Sequence, residues 1–290
     1  MIPGAAPALE AVGLTVRHRR RTLLDACSLR LPRGAVCGLV GPNGAGKSLL
    51  LAAAAGLVGP DAGRISVLGR PAGSARALPE VGYLDQRRSL YGRMTVTELL
   101  VTGRRTNTRW HHERATELLD LGRLPLDARI GDLSGGQRTL AALALVRGKA
   151  PGLMLLDEPL AELDPLVRRA VLGLLLADVA DHGTTVLLST HVLTDLDEVV
   201  DHLVLLDAGQ VRLAGALPEL LAAHHYVERD GRAVLARRDR VRREGPAAET
   251  DGDEGPTLDE LVVAYLRSPE TGRWLAPGMR PDAPHGVLIA

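Results

Sequence analysis

The sequence predicts an α/β fold with a mainly parallel core sheet, and three observations predict it. A glycine-rich turn sits between an apolar run and a strong helix former. Short apolar runs alternate with helical patterns along most of the chain. The residues best suited to phosphate chemistry fall at the ends of the apolar runs, where ligands bind in open parallel sheets.

The first observation is the most specific. Val36 to Val40 is an apolar run of strand length, Gly41-Pro-Asn-Gly-Ala-Gly-Lys-Ser48 follows, and Leu49 to Ala55 (LLLAAAA) continues as a helix former. The turn fits GxxxxGK[ST] at every fixed position, in the strand–loop–helix setting that the pattern requires. Gly41, Gly44 and Gly46 let the backbone turn with its N–H groups inward, while Pro42, Asn43 and Ala45 fill the variable positions. Lys47 then offers a cation to the β and γ oxygens of a polyphosphate, and Ser48 a hydroxyl to Mg²⁺.

The remaining elements follow in order. Ala8 to Val16 and Leu24 to Leu31 alternate as two strands, with Arg17 to Arg21 read as a solvated basic loop between them. Arg64 to Leu68 and Glu80 to Gln86 read as short strands. Thr95 with Glu98 has the spacing of a capping box opening a helix, and His111 to Leu121 reads as a second helix. Ser134 with Gln137 repeats the capping-box spacing before another helix. Leu153 to Leu156 is a buried strand ending in Asp157-Glu158, and Asp164-Pro165 is an N-cap followed by proline at the first helical position. Thr184 to Leu188 is a further buried strand, ending in Ser189-Thr190-His191. Leu258 to Leu266 is a short amphipathic helix, read as docking on a partner.

Composition bounds the function. Of the 290 residues 46% are hydrophobic and only 2% aromatic, with no Phe, so the core is built from Leu, Val, Ala and Ile, and stacking surfaces for bases are scarce. Basic and acidic residues number 35 each, a formal charge of zero, which removes any global attraction to nucleic acid or anionic lipid. Cys27 and Cys37 lie in apolar or alternating stretches without metal-ligand spacing and read as reduced core residues. No basic start or apolar leader occupies Met1 to Pro7, and no apolar run approaches the roughly 18 residues of a membrane span. The expectation is a cytosolic protein that needs another chain for any membrane role.

Asp157 at its strand end suits Mg²⁺ alongside Ser48, and Glu158 at the strand mouth suits activation of an attacking water. With Leu133-Ser-Gly-Gly-Gln137 present in full, the chain resembles the ATP-binding-cassette ATPases, P-loop nucleotide-binding subunits of ABC transporters. The resemblance covers about residues 8 to 225. It implies an antiparallel N-terminal β subdomain, a mainly parallel core and a helical subdomain over about residues 87–150. A C-terminal extension follows over 226–290, with a charged linker at 237–256 and a short helix at 257–267. It also implies ATP and Mg²⁺ as ligands, with Gly41 to Ser48 as the phosphate loop and Asp157 at the metal. Glu158 becomes the catalytic carboxylate, Gln86 the residue coupling the metal site to a membrane subunit, His191 the γ-phosphate switch and Asp164 part of the D-loop.

Leu133, Ser134, Gly135, Gly136 and Gln137 then form the signature that closes over ATP held by a second cassette, so the implied assembly is two ATPase subunits on a multi-spanning permease at the inner face of the membrane. Three positions depart from the family pattern. His18 stands where an adenine-stacking aromatic is usual, which implies some tolerance of GTP. Leu49 replaces a common threonine, and Glu162 adds a carboxylate to the D-loop. The stretch after Gln86 and the tail helix resemble exporters of drugs, antibiotics or polysaccharide. An importer ATPase, or a soluble cassette protein working on ribosomes or DNA, remains the alternative.

Overall fold

Strand β3, Val36–Val40, is buried at all five positions, as an apolar run between two covered faces requires. The computed structural model describes residues 6–196, 199–229, 232–237, 255–267, 273–276 and 279. Before β3, β1 (Leu9–His18) and β2 (Arg21–Leu31) form an antiparallel hairpin, joined beyond β3 and α1 (Lys47–Ala54) by β4 (Ala62–Val67) and β5 (Arg70–Pro71) in the order β2-β1-β4-β5. Arg17 to Arg21 is therefore not an open loop. His18 pairs with Arg21, leaving a two-residue turn in which Arg19 takes φ 56°. Both faces of this tip are exposed, so no apolar alternation marked it as strand.

β6 (Val81–Leu84), β7 (Leu153–Asp157), β8 (Thr185–Ser189), β9 (His202–Asp207), β10 (Gln210–Ala216) and β13 (Trp274–Leu275) join β3 in a seven-stranded sheet of order β13-β10-β9-β3-β8-β7-β6. Every neighbouring pair is parallel except β9 with β10. Successive residues of β3, β7 and β8 alternate between two cores. Val36, Val40, Met154, Leu156, Val186 and Leu188 face the helices. Cys37, Leu39, Leu153, Leu155 and Leu187 face α1 and the antiparallel sheet.

The helices end where local chemistry ends them. α2 (Val96–Thr106) starts at the Thr95–Glu98 capping box, α3 (His112–Leu121) follows, and α4 (Gly135–Gly148) starts at the Ser134–Gln137 box, with both reciprocal bonds formed in each box. α5 (Pro165–His182) is capped by Asp164 and stops at Gly183, which takes the left-handed conformation at φ 65°. Buried Asp178 on α5 accepts two bonds from Arg147 of α4, at 2.7 and 3.0 Å, and lies 2.9 Å from Arg114 of α3, which pins the helical layer.

α6 (Leu217–Ala222) leads into the hairpin of β11 (His224–Arg229) and β12 (Arg232–Arg237). α7 (Leu258–Arg267) buries Leu258, Leu261, Val262 and Tyr265 in the chain's own helix-side core and not, as the sequence pattern suggests, against a partner. Tyr265 is fixed there by a 2.9 Å bond to Nε2 of buried His224. Cys27 and Cys37 are buried free thiols, and burial pushes both pKa values up. Most of the expected charged linker lies outside the described residues.

Candidate functional site

β7, β8 and β3 lie side by side, so their carboxyl ends bring Asp157, Ser189 and the glycine loop into one row. Asp157 pairs with Ser189 in the β7–β8 register, and the Thr190 N–H donates to Leu39 O at 3.2 Å, which sets the His191 turn against the strand feeding the glycine loop.

The loop needs its glycines for space as well as for conformation. Gly41 has φ 149°, and a Cβ there would stand 1.9 Å from Leu206 O. Gly46 has φ 105°, and a Cβ would meet Leu24 Cδ2 at 2.8 Å. Lys47 opens α1 with its side chain folded back over the loop, donating from Nζ to Gly41 O at 2.6 Å and Pro42 O at 3.2 Å. Burial lowers the Lys47 pKa, and the nearby carboxylates of Glu158 and Asp157 partly hold it up. A buried ammonium resting on carbonyl oxygens, beside a helix start whose first N–H groups have no intrahelical partner, fits a polyphosphate. Ser48 is exposed at this mouth, whereas Leu49 turns to the core on the α1 side.

Ser189 fixes both acidic residues. Its hydroxyl donates to Asp157 Oδ1 at 2.6 Å and accepts from the Glu158 N–H at 3.0 Å. Asp157 is buried at the strand end, and an exposed Ser48 hydroxyl with a carboxylate held by a neighbouring serine is a donor set that fits Mg²⁺. Glu158 takes the left-handed region at φ 51°, which turns its carboxylate out of the strand line, and Oε2 lies 2.7 Å from His191 Nδ1. The His191 side chain is 57% exposed and that of Glu158 10%, so the pair spans the boundary between core and solvent.

The other sequence-predicted residues are placed as follows. Gln86 is exposed in the turn after β6, the strand beside β7. His18 is exposed at the last position of β1. Asp164 accepts from the N–H groups of Leu166 and Val167 at 3.1 Å each. Leu133 is buried, and Ser134 and Gln137 cap α4. Glu162 lies against the start of that helix: a Cβ on Gly135 would meet its Oε2 at 2.4 Å, and one on Gly136 its carbonyl oxygen at 3.0 Å. Close approach to backbone thus restricts Gly136, whereas the exposed Glu162 carboxylate facing Gly135 can swing aside.

Two residues without a role in the sequence reading complete the arrangement. Ser189 is one; a small hydroxyl closing an otherwise apolar strand was its only signal. The other is Arg88, buried beneath the turn after β6.

Comparison with known proteins places the chain in a family. The family described as "ABC transporter" matches residues 24–161. The Nod factor export ATP-binding protein I of Rhizobium meliloti (strain 1021) is 36% identical over 229 residues, covering 76% of this chain and 68% of that protein. Its namesake in Ralstonia nicotianae is 33% identical over 294 residues, covering 96% and 90%. The chain belongs to the ABC transporter ATP-binding proteins. As an ABC ATPase it also superposes on a solved ATP-binding subunit of an ABC transporter with TM-score 0.69 at 27% identity, over 74% of this chain and 92% of that one. ABC ATPases bind and hydrolyse ATP. No helix among the described residues of this one is long and apolar enough to cross a membrane.

Proposed function

We propose that this ABC ATPase powers an exporter permease carried on a separate chain, working as a pair of cassettes, and that Glu158 activates the hydrolytic water. The observation that carries the reading is the Glu158 carboxylate, turned out of β7 and held 2.7 Å from His191 Nδ1, on the same sheet edge as the Lys47 cradle.

In this reading the N–H groups of Gly41 to Ser48 and the Lys47 ammonium hold the β and γ phosphates, releasing Lys47 from Gly41 O and Pro42 O. Ser48 and Asp157 would hold Mg²⁺, with Gln86 completing the set, and the ion would neutralise charge on the phosphate oxygens. Glu158 accepts a proton from water as the water oxygen bonds to the γ phosphorus and the bond to the ADP oxygen breaks. His191 keeps Glu158 oriented and donates to the γ-phosphate. The first-turn N–H groups at Gly135 and Gly136 supply positive dipole charge to ATP held by the second cassette, and Leu133, Ser134 and Gln137 keep that helix end in shape. Asp164 fixes the D-loop, and His18 stacks on the base.

The export direction is supported by the relatives' names, and attachment to a permease by the surface. A groove of about 360 Å³ between β6 and α2, lined by Leu57, Leu78, Tyr83 and Asn107, borders β6, whose following turn carries Gln86. Leu57 and Leu78 are exposed there, and a cytosolic segment of a permease would cover them. Importer and ribosome- or DNA-directed activities are the competing readings.

Purification from membranes tests the proposal. A multi-spanning protein co-purifying with the chain, with ATPase activity lost in Glu158→Gln, is the expected result. Recovery in ribosomal or DNA-bound fractions would overturn it. Sedimentation of Glu158→Gln with ATP and Mg²⁺ should show a dimer.

A further inference from the structure

We infer that Arg88 is a positioning residue for hydrolysis, one guanidinium that ties the Gln86 turn, the signature end of α4 and the Glu158 peptide into a single unit. The inference rests on the reading of Glu158 as the group that activates water.

Each nitrogen of the Arg88 side chain serves a different element. Nε donates to Thr139 Oγ1 on α4 at 3.0 Å, Nη2 donates to the Glu158 carbonyl oxygen at 2.6 Å, and Nη1 donates to the Gln86 carbonyl oxygen. The Thr139 hydroxyl in turn donates to Gly135 O at 3.0 Å, so a continuous chain of bonds runs from the signature glycine through Arg88 to the peptide of Glu158.

The physical setting is costly for a residue that merely fills space. Arg88 is 5% exposed, and among the described residues its acceptors are three uncharged oxygens, with no carboxylate paired to it. A cation taken from water without a counter-charge is expensive, and an apolar side chain of the same volume packs without that cost. Arg88 also takes φ 49°, in the left-handed region that L residues avoid.

The Glu158 peptide explains what the cost secures. Glu158 itself holds φ 51°, and its main chain is gripped on both sides: Ser189 Oγ accepts from its N–H, and Arg88 donates to its carbonyl oxygen. The left-handed turn aims the carboxylate at His191, so loosening either grip lets Glu158 relax into the strand line. Because the same guanidinium holds Gln86 and Thr139, movement of the helical layer when the signature engages a nucleotide is passed to Glu158 rather than absorbed by the loops.

The fork geometry, and not the charge alone, is what this role needs. Lysine at 88 keeps the charge but presents one nitrogen where three elements must be joined. With the purified full chain, Arg88→Lys should lower kcat at least about tenfold while KM for ATP changes less than about threefold, since a small misplacement of a reacting group costs turnover before binding. Thr139→Val should lower kcat less, and adding it to Arg88→Lys should lower kcat no further than Arg88→Lys alone. An Arg88→Lys protein that turns over at the wild-type rate overturns the inference, as does a loss of kcat that matches a loss of folded protein in thermal unfolding. If the Arg88 variants do not fold, Thr139→Val alone decides: kcat reduced with KM unchanged supports the role, and wild-type kcat overturns it. Glu158→Gln is the control. Turnover surviving in Glu158→Gln removes the reading of Glu158 and this inference together, whereas an inactive Glu158→Gln beside a fully active Arg88→Lys removes this inference alone.

Discussion

Oε2 of Glu158 lies 2.7 Å from Nδ1 of His191, and the two residues reach each other from the ends of adjacent parallel strands. The pair separates the roles expected of its members. Glu158→Gln removes the proton acceptor and should reduce kcat by about a hundredfold or more, while ATP still binds and dimers accumulate. His191→Ala removes the orienting partner and should reduce kcat by about tenfold to a hundredfold with ATP affinity retained. Single-turnover kinetics beside equilibrium nucleotide binding distinguish these outcomes from a general loss of affinity.

Lys47 should affect binding first. Its ammonium is buried and already bonded to Gly41 O and Pro42 O, so phosphate oxygens replace acceptors of the same kind. Charged hydrogen bonds contribute roughly 1.5–3 kcal/mol each, so Lys47→Ala should weaken ATP binding about tenfold to a hundredfold in titration calorimetry. Affinity equal to wild type would contradict the site.

Asp178 carries stability rather than catalysis. Two guanidiniums, Arg147 and Arg114, converge on its buried carboxylate. Asp178→Asn leaves Arg114 without its carboxylate and Arg147 with only the half-exposed Glu117, 2.9 Å away, which should cost about 3 kcal/mol in urea unfolding. A cost below about 1 kcal/mol would show that water reaches this junction in the folded state.

His202 should make stability depend on pH. Burial lowers its pKa below the ordinary 6.5, outweighing the carboxylates of Asp201 and Glu219, and its buried Nδ1 has no hydrogen-bond partner among the described residues. Above pH 6.5 both folded and unfolded chains hold it neutral, and it contributes nothing. As pH falls below 6.5 the unfolded chain takes up a proton that the folded chain refuses, so stability declines. His202→Gln should lose less stability than wild type between pH 7.5 and 5.5 in urea midpoints. Equal losses in the two proteins would contradict the assignment.

Much of this fold was legible because its signals are local. The capping pairs Thr95–Glu98 and Ser134–Gln137 and the Asp164-Pro165 start each satisfy backbone donors within one turn, so spacing alone reveals them. The same holds for the glycine loop between a buried strand and a helix. What escaped was non-local. The apolar face of α7 announces that something must cover it, but only the fold shows that the cover is the chain's own core. Arg88 looks like any surface arginine in a basic turn until Thr139 and Glu158, 51 and 70 residues away, close around it. The hairpin tip at Arg19 was hidden because an arginine occupies a left-handed position where glycine or asparagine is the usual marker.

Ser189 touches Asp157 with its proton and Glu158 with its lone pair. The side chain assigned to the cation and the one assigned to the water therefore share a single hydroxyl as their common reference point. Any substitution at 189 shifts both at once, and a variant enzyme with faster chemistry but unaltered cation affinity has to be sought at other positions.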